Sequence, residues 1–267
     1  MINKSEEVVS KFYNSIGWET NNGITEDAKR WEDLRPVAST YVNKCRLRVL
    51  HHIPPEGDKI LDMASGPIQY PEYLKYSKNF NKRYCVDLAE SALADAEKKI
   101  GNHGVFLHGS FMDIDMDENF FDCAVSLHTI YHIDKDMQES AVRKLLYVTK
   151  PGQPVIIVYS NPNTFLSLPF KMFRMVKTIL IRKIQTKTDS DIYFYQHPNE
   201  WWQKFYDISS IEMYPWRSFA ANIMKKIIPN NKFGEKILSV LFSLEEKFPN
   251  IFIKYFQYYM VVLIKKV

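Results

Sequence analysis

The chain has 267 residues, 46% of them hydrophobic and 25% charged, with three cysteines and only nine glycines. That balance excludes a disordered chain, a collagen-like repeat and a disulfide-framed miniprotein, and it leaves room for one large domain or one domain with a cap. The net charge of +4 is uneven: residues 1–150 carry 19 Lys and Arg against 23 Asp and Glu, and residues 151–267 carry 16 against 8.

The opening MINKSEEVVSKFYNS places charges where a secretory signal needs an apolar core, so a cytoplasmic chain is expected. Ser5 is placed to cap a helix running through Ile16; Gly17, Asn21, Asn22 and Gly23 break that pattern, and Pro36 opens a longer helix ending near His52. From Lys59 the pattern changes to short apolar runs at Lys59–Met63, Tyr84–Asp87, Val105–His108, Asp122–Leu127 and Val155–Tyr159. Helical patterns lie between several of them, clearest at Glu90–Ile100, stopped by Gly101, and at Gln138–Val148. This alternation predicts an α/β fold with a doubly wound parallel sheet.

After Ser160 the alternation stops. Thr164–Ile184 has a helical pattern, a polar turn follows at Lys187–Asp191, and Pro198 opens a short helix through Trp201, Trp202 and Phe205. Ile208–Pro215 reads as a strand, Asn231–Phe248 as helix, and Tyr255–Ile264 as a strand buried on both faces. No apolar run approaches the ~18 residues of a membrane span. Cys45, Cys85 and Cys123 are odd in number and lack a CxxC pair, which fits reduced, buried thiols and no metal site.

The segments with chemical content sit at the ends of the apolar runs. Asp62-Met63-Ala64-Ser65-Gly66-Pro67 ends the first in an acid and turns on small residues, where backbone can approach a ligand at the carboxyl edge of a parallel sheet. Cys85-Val86-Asp87-Leu88 ends the second in another acid, suited to accepting hydrogen bonds from two ribose hydroxyls. Gly109-Ser110-Phe111-Met112-Asp113 follows the third, with an aromatic or Met able to cover an adenine face. The fourth run leads into His128, Tyr131 and His132, and Thr149-Lys150-Pro151-Gly152 precedes the fifth.

In this order and spacing the segments resemble class I S-adenosylmethionine-dependent methyltransferases, in particular the small-molecule branch often called type 11. The resemblance covers residues 55–160. The family's acid-x-Gly-x-Gly-x-Gly loop is represented with Ala64 and Ile68 in place of two glycines, a change that a phosphate-free donor tolerates better than a dinucleotide does. The resemblance implies a Rossmann-like sheet, mostly parallel with an antiparallel C-terminal strand; Tyr255–Ile264 should pair with Ile208–Pro215 at its far edge. It also implies S-adenosylmethionine as cofactor, held by Asp62, Ala64, Ser65, Gly66, Asp87, Leu88, Ser110, Phe111 and His128, with Tyr13 reaching in from an N-terminal helical lid. The expected organisation is a lid over 1–53, a donor-binding core over 54–160, and a cap with the closing strands over 161–267.

Methyl transfer to a hydroxyl needs alignment and a base, and His128, Tyr131 and His132 are the candidates for catalysis or substrate orientation. Packing beneath the loop is the competing role for His132. The acceptor is expected to be a small molecule methylated most simply at oxygen, with nitrogen and carbon the alternatives, bound near Tyr193, Tyr195, His197 and Trp201; Arg35 and Tyr41 are candidates to reach the donor carboxylate or the acceptor. Tyr131 and Lys135 satisfy the Tyr-x-x-x-Lys spacing of short-chain dehydrogenases, but Gly-x-Gly-x-x-Gly is missing, which counts against a nicotinamide-dependent oxidoreductase. Ser126-Leu127-His128-Thr129 lacks the Pro-Pro-aromatic signature of a base methyltransferase, so no nucleic-acid partner is expected. A donor-binding protein without turnover is the remaining alternative. In Thr164–Ile184 basic and apolar residues alternate without an acid, compatible with a lipid interface or lipid-linked acceptor, or with a helix packed on the domain.

Overall fold

The apolar runs become strands: β1 (Gly57–Met63), β2 (Phe80–Asp87), β3 (Gly104–His108), β4 (Cys123–Leu127), β5 (Pro154–Ser160), β6 (Ser209–Arg217) and β7 (Tyr258–Lys265). The structure is a computed structural model describing residues 4–21, 23–165 and 192–267. The strands form one sheet in the order β3-β2-β1-β4-β5-β7-β6. β1 to β5 pair in parallel, and β7 runs antiparallel to β5 on one side and β6 on the other. The order reverses between β1 and β4, so the crevice for a ligand opens at their carboxyl ends.

Nine helices are named among the described residues: α1 (Lys4–Phe12), α2 (Glu26–Trp31), α3 (Pro36–Leu47), α4 (Pro71–Leu74), α5 (Glu90–Ile100), α6 (Gln138–Val148), α7 (Ala221–Ile227), α8 (Lys232–Lys247) and α9 (Pro249–Tyr255). Side chains alternate across each strand, so the sheet has two cores. Leu61, Ala124, Ile157, Tyr159 and Val261 pack under α6 and the Trp201–Trp202 turn, while Ile60, Val125, Ile156, Val158 and Met260 face Tyr76 and Trp216. A third cluster joins Val37, Ala38 and Val42 of α3 to Met224 and Leu238 of α7 and α8. The N-terminal and C-terminal segments are therefore packed together; Arg48, beyond α3, pairs with buried Glu245 of α8 at 2.9 Å.

The predicted strand–helix order and the doubly wound sheet are observed. The first helix runs through Ile16 as its pattern predicts, but α1 gives way to π-helix over Tyr13–Gly17, and Ser5 lies within α1 instead of capping it. α2 was not anticipated; Thr25 caps it by accepting the Ala28 N–H at 3.2 Å. The last strand starts at Tyr258, because Pro249 begins a helix that runs to Tyr255. The basic amphipathic stretch predicted over Thr164–Ile184 lies outside the described residues beyond Phe165. Among the described residues no helix is long and apolar enough to cross a membrane. The three cysteines are free and buried.

Candidate active site

A cleft of about 420 Å³ opens at the carboxyl ends of β1, β2 and β4, within the usual size of a small-molecule site. Its floor is the loop after β1. Ala64, Gly66 and Ile68 have φ of 57°, 54° and 48°, so each of the three positions where the resemblance expects glycine has the left-handed backbone that glycine adopts easily. Ala64 is exposed; Ile68 is held in place by burial among Cys85, Leu93 and Ala96. The Ser65 N–H donates to the Val86 carbonyl at 3.2 Å.

Asp87 ties this loop to β2. One carboxylate oxygen accepts the Gly66 N–H at 2.8 Å, and the other accepts the Ala89 N–H at 2.9 Å. Burial pushes its carboxyl up to about 6 against these bonds, and it makes no ion pair among the described residues. Asp62 lines the same cleft and accepts from Arg83 Nε at 3.1 Å, so its charge is balanced in the core. Leu88, Phe111 and Met112 supply an apolar wall, but the Ser110 hydroxyl bonds Glu6 of α1 at 2.6 Å and the residue is not among those lining the cleft.

The N-terminal segment covers the loop. Tyr13 lines the cleft, stacks on Trp18 with ring centroids 4.9 Å apart, and donates its hydroxyl to Asp27 at 3.2 Å. Burial pushes the Asp27 carboxyl up to about 6, with hydrogen bonds from Tyr13 and Gln69 working the other way. Like Asp87, it makes no ion pair among the described residues. Deeper in, Glu32 bridges Arg217 at 2.8 Å and Arg46 at 3.5 Å. Among the described residues the charged side chains on the cleft wall are Glu6, Asp27, Glu32, Asp62 and Asp87 against Arg217, and although Glu32 and Asp62 have buried arginine partners, the excess of acid favours a cationic ligand.

The loop after β4 forms the opposite wall. His128 has φ 61°, its Nδ1 lies 3.0 Å from the Tyr131 hydroxyl, and its ring meets Trp216 edge-on at 4.3 Å. Desolvation holds His128 well below the usual imidazole range, with the Arg217 charge acting in the same direction. His132 donates its Nδ1 hydrogen to the Tyr193 carbonyl at 2.8 Å, which leaves the Nε2 lone pair as its proton-accepting site. Desolvation lowers its pKa to about 4. Both imidazoles are neutral at neutral pH.

Several expected contributors are elsewhere. Arg35 bonds Asp33 and the carbonyls of Met224 and Ile228, and Tyr41 bonds Glu245, so both join α3 to the C-terminal helices and neither reaches the cleft. Along residues 192–195 the side chains alternate: Ile192 and Phe194 line the cleft, whereas Tyr193 and Tyr195 do not; His197 is also outside it, stacked against Trp201. Lys135 pairs with Asp136 at the surface, so no Tyr131–Lys135 dyad faces the cleft. Among the described residues no three His, Cys, Asp or Glu side chains converge as a metal-ligand set.

Asp27, Glu32, Gln69, Tyr70, Arg217 and Tyr258 line the cleft without having been singled out in the sequence. A signal existed for two of them. Arg217 and Tyr258 are register partners at the ends of β6 and β7, and Tyr258 lies opposite Ser160 at the carboxyl end of β5. The antiparallel closing strand therefore delivers them to the functional edge.

Residues 61–157 match the model of a family described as a methyltransferase domain. Among solved structures, the magnesium protoporphyrin IX methyltransferase of Synechocystis PCC 6803, with bound S-adenosylhomocysteine, is similar over 97% of this chain and 99% of its own, with 13% identity and a TM-score of 0.57. A methyltransferase of Archaeoglobus fulgidus matches over 85% of this chain and 94% of its own, with 16% identity and a TM-score of 0.52. The phosphoethanolamine N-methyltransferase 2 of Haemonchus contortus matches over 84% of this chain, which spans only 53% of that enzyme, with 15% identity and a TM-score of 0.52. No curated protein matches the chain significantly.

Proposed function

We propose that this chain, a class I S-adenosylmethionine-dependent methyltransferase, transfers the methyl group to a small-molecule acceptor, with a hydroxyl oxygen as nucleophile. The observation that carries this reading is the pairing of a loop with left-handed backbone at Ala64, Gly66 and Ile68 with two carboxylates, half-buried Asp27 and buried Asp87, that make no ion pair among the described residues. A cationic nucleoside satisfies both: the ribose hydroxyls donate to Asp87, and positive charge is stabilised by the acid-lined wall. Ala64, Ser65 and Gly66 underlie the donor, Asp62 and Leu88 flank it, Phe111 covers the adenine, and Tyr13 closes from above. Ser110 acts through Glu6 in holding α1 down.

When bound, S-adenosylmethionine supplies an electrophilic methyl on a sulfonium sulfur. The chain aligns the nucleophile and receives its proton. As the acceptor oxygen takes the methyl group, the sulfur–methyl bond would break and leave a neutral thioether, and the acceptor's proton would pass to His132 Nε2 while the Tyr193 carbonyl holds the ring through Nδ1. A base lowered to about 4 suffices, because the proton leaves an oxygen that is gaining positive charge. Tyr131 and His128 orient the acceptor through their shared hydrogen bond. The regions divide into a lid over 1–53, a donor core over 54–160, and a third region over 161–267 that selects the acceptor. A second reading takes an amine as acceptor, favoured by Asp27, whose carboxylate beside the Tyr13 ring suits an ammonium.

Methyl-labelled donor incubated with host extract, followed by identification of the labelled product, tests the reading. A product labelled on oxygen supports it, label on nitrogen selects the second reading, and tight binding of a nicotinamide cofactor in place of S-adenosylmethionine overturns both. Unaltered donor affinity in Asp87→Ala removes the ribose assignment.

A further inference from the structure

α8 has two apolar faces. One is buried: Gly234 and Leu238 pack with the α3 cluster, and Glu245 anchors Arg48. The other is exposed. Phe233, Val240 and Leu244 recur at intervals of seven and four residues, so they form one stripe along the helix, with Phe233 66% and Val240 51% accessible. Past the break at Phe248, which is itself exposed, α9 adds further exposed apolar residues: Ile251 is 52% accessible, and Tyr255, four residues on, shares its side of that helix. The Phe165 N–H bonds the Tyr255 carbonyl at 2.7 Å and brings another exposed ring to the same end.

The charges around the stripe have one sign. Lys236 and Lys247 flank it by helical position, and Lys247 and Lys254 lie over the rings of Phe248 and Tyr255 at 5.4 and 5.2 Å from their centroids. The acids of α8 point elsewhere: Glu245 is buried, Glu246 pairs with Arg48 at 2.7 Å, and Glu235 falls on the opposite side of the helix. Exposed aromatics with ammonium groups drawn over them suit a boundary between acyl chains and anionic headgroups. A second copy of the chain fits poorly, since the lysines would meet like charges and lysine is depleted from protein interfaces.

We propose that the stripe from Phe233 to Tyr255 is a peripheral docking face for anionic membrane surfaces. It would carry the enzyme to lipid-borne or membrane-proximal acceptors, and it stands independently of the atom methylated. The face needs no spanning helix: Phe233, Val240 and Leu244 enter the headgroup boundary while Lys236, Lys247 and Lys254 meet lipid phosphates.

The test is co-sedimentation of the full chain with phosphatidylglycerol and phosphatidylcholine vesicles at low ionic strength. The expected result is binding at least about tenfold tighter to phosphatidylglycerol, weakened by salt. The double variants Val240→Asp with Leu244→Asp, and Lys236→Glu with Lys247→Glu, change exposed residues only and should each reduce binding about tenfold or more while keeping the wild-type melting temperature and donor affinity. No preference for anionic vesicles overturns the proposal. So does binding that both variants retain, which would move it to another segment such as the basic stretch of 166–184. A concentration-dependent dimer that Val240→Asp with Leu244→Asp dissociates, without vesicle binding, also overturns it and makes the face a contact between copies.

Discussion

Trp18 rests directly on Gly66: a β-carbon built on Gly66 would lie 2.9 Å from the indole ring. The N-terminal segment and the loop after β1 are therefore in contact through a position that has no side chain. Gly66 is also left-handed and donates its N–H to Asp87, so one residue joins the loop, Asp87 and the N-terminal segment.

Gly66→Ala should accordingly be disproportionately harmful. An L-residue in this conformation costs about 1–2 kcal/mol, and the new methyl displaces Trp18. Calorimetric titration is expected to show donor affinity reduced at least about tenfold, more than the stability loss alone explains.

Ala64 and Ile68 make a contrasting pair. Both have positive φ, but Ala64 is exposed and Ile68 is buried. Ala64→Gly removes strain at no packing cost and should raise the melting temperature by about 2–4 °C. Ile68→Gly removes similar strain but opens a cavity beside Leu93 and Ala96, and should lose about 2–4 kcal/mol in denaturant unfolding.

Donor binding should depend on pH through Asp27 and Asp87. Both carboxyls are pushed up to about 6 without ligand, so the folded chain prefers them protonated below that value. In the unliganded protein this contributes stability fully present below the ordinary carboxylate range and lost as pH rises through about 6. A cationic donor needs the ionised forms, so its affinity should rise with pH and level off above about 7, falling about tenfold per pH unit below 6 for each carboxyl that must ionise. Flat affinity between about pH 5 and pH 7 would remove these groups from cation binding.

For His132 the expected outcome is kinetic. His132→Ala should lower kcat about 100-fold or more while donor affinity stays within about twofold. Since desolvation sets the imidazole near 4, no histidine ionisation should appear in the wild-type rate profile between about pH 6 and pH 8. A full-rate His132→Ala enzyme assigns the residue to packing.

Glu32 balances two buried arginines, Arg217 and Arg46. Glu32→Gln removes the carboxylate that pairs with Arg217, while Arg46 keeps Glu72 at 3.6 Å, and should destabilise the fold by about 3–5 kcal/mol, measured by denaturant unfolding.

Much of this arrangement was legible in the residues themselves. Glu90–Ile100 and Gln138–Val148 form helices over the predicted spans, and Asp62 and Asp87 stand at strand ends beside the crevice. Burial writes a local periodicity into the sequence, two for a strand and 3.6 for a helix, and Gly101 marks a stop within the same few residues. A strand end in a parallel sheet then implies the ligand edge.

The rest had no local signature. Nothing near Asp27 indicates that a short helix after Gly23 would set its carboxylate against Tyr13, and nothing in the run from Ile192 to His197 says which alternate side chains face inward. Arg35 and Tyr41 looked free to reach a ligand until α7 and α8 packed against α3 and took both. The sequence by itself determined the α/β order, the loop after β1 and the acids at the strand ends, because those follow from contacts between neighbours along the chain. Tertiary structure decided the Trp18 contact at Gly66, the Glu32–Arg217–Arg46 network and the inward side of each loop, because these depend on packing between segments up to about 200 residues apart.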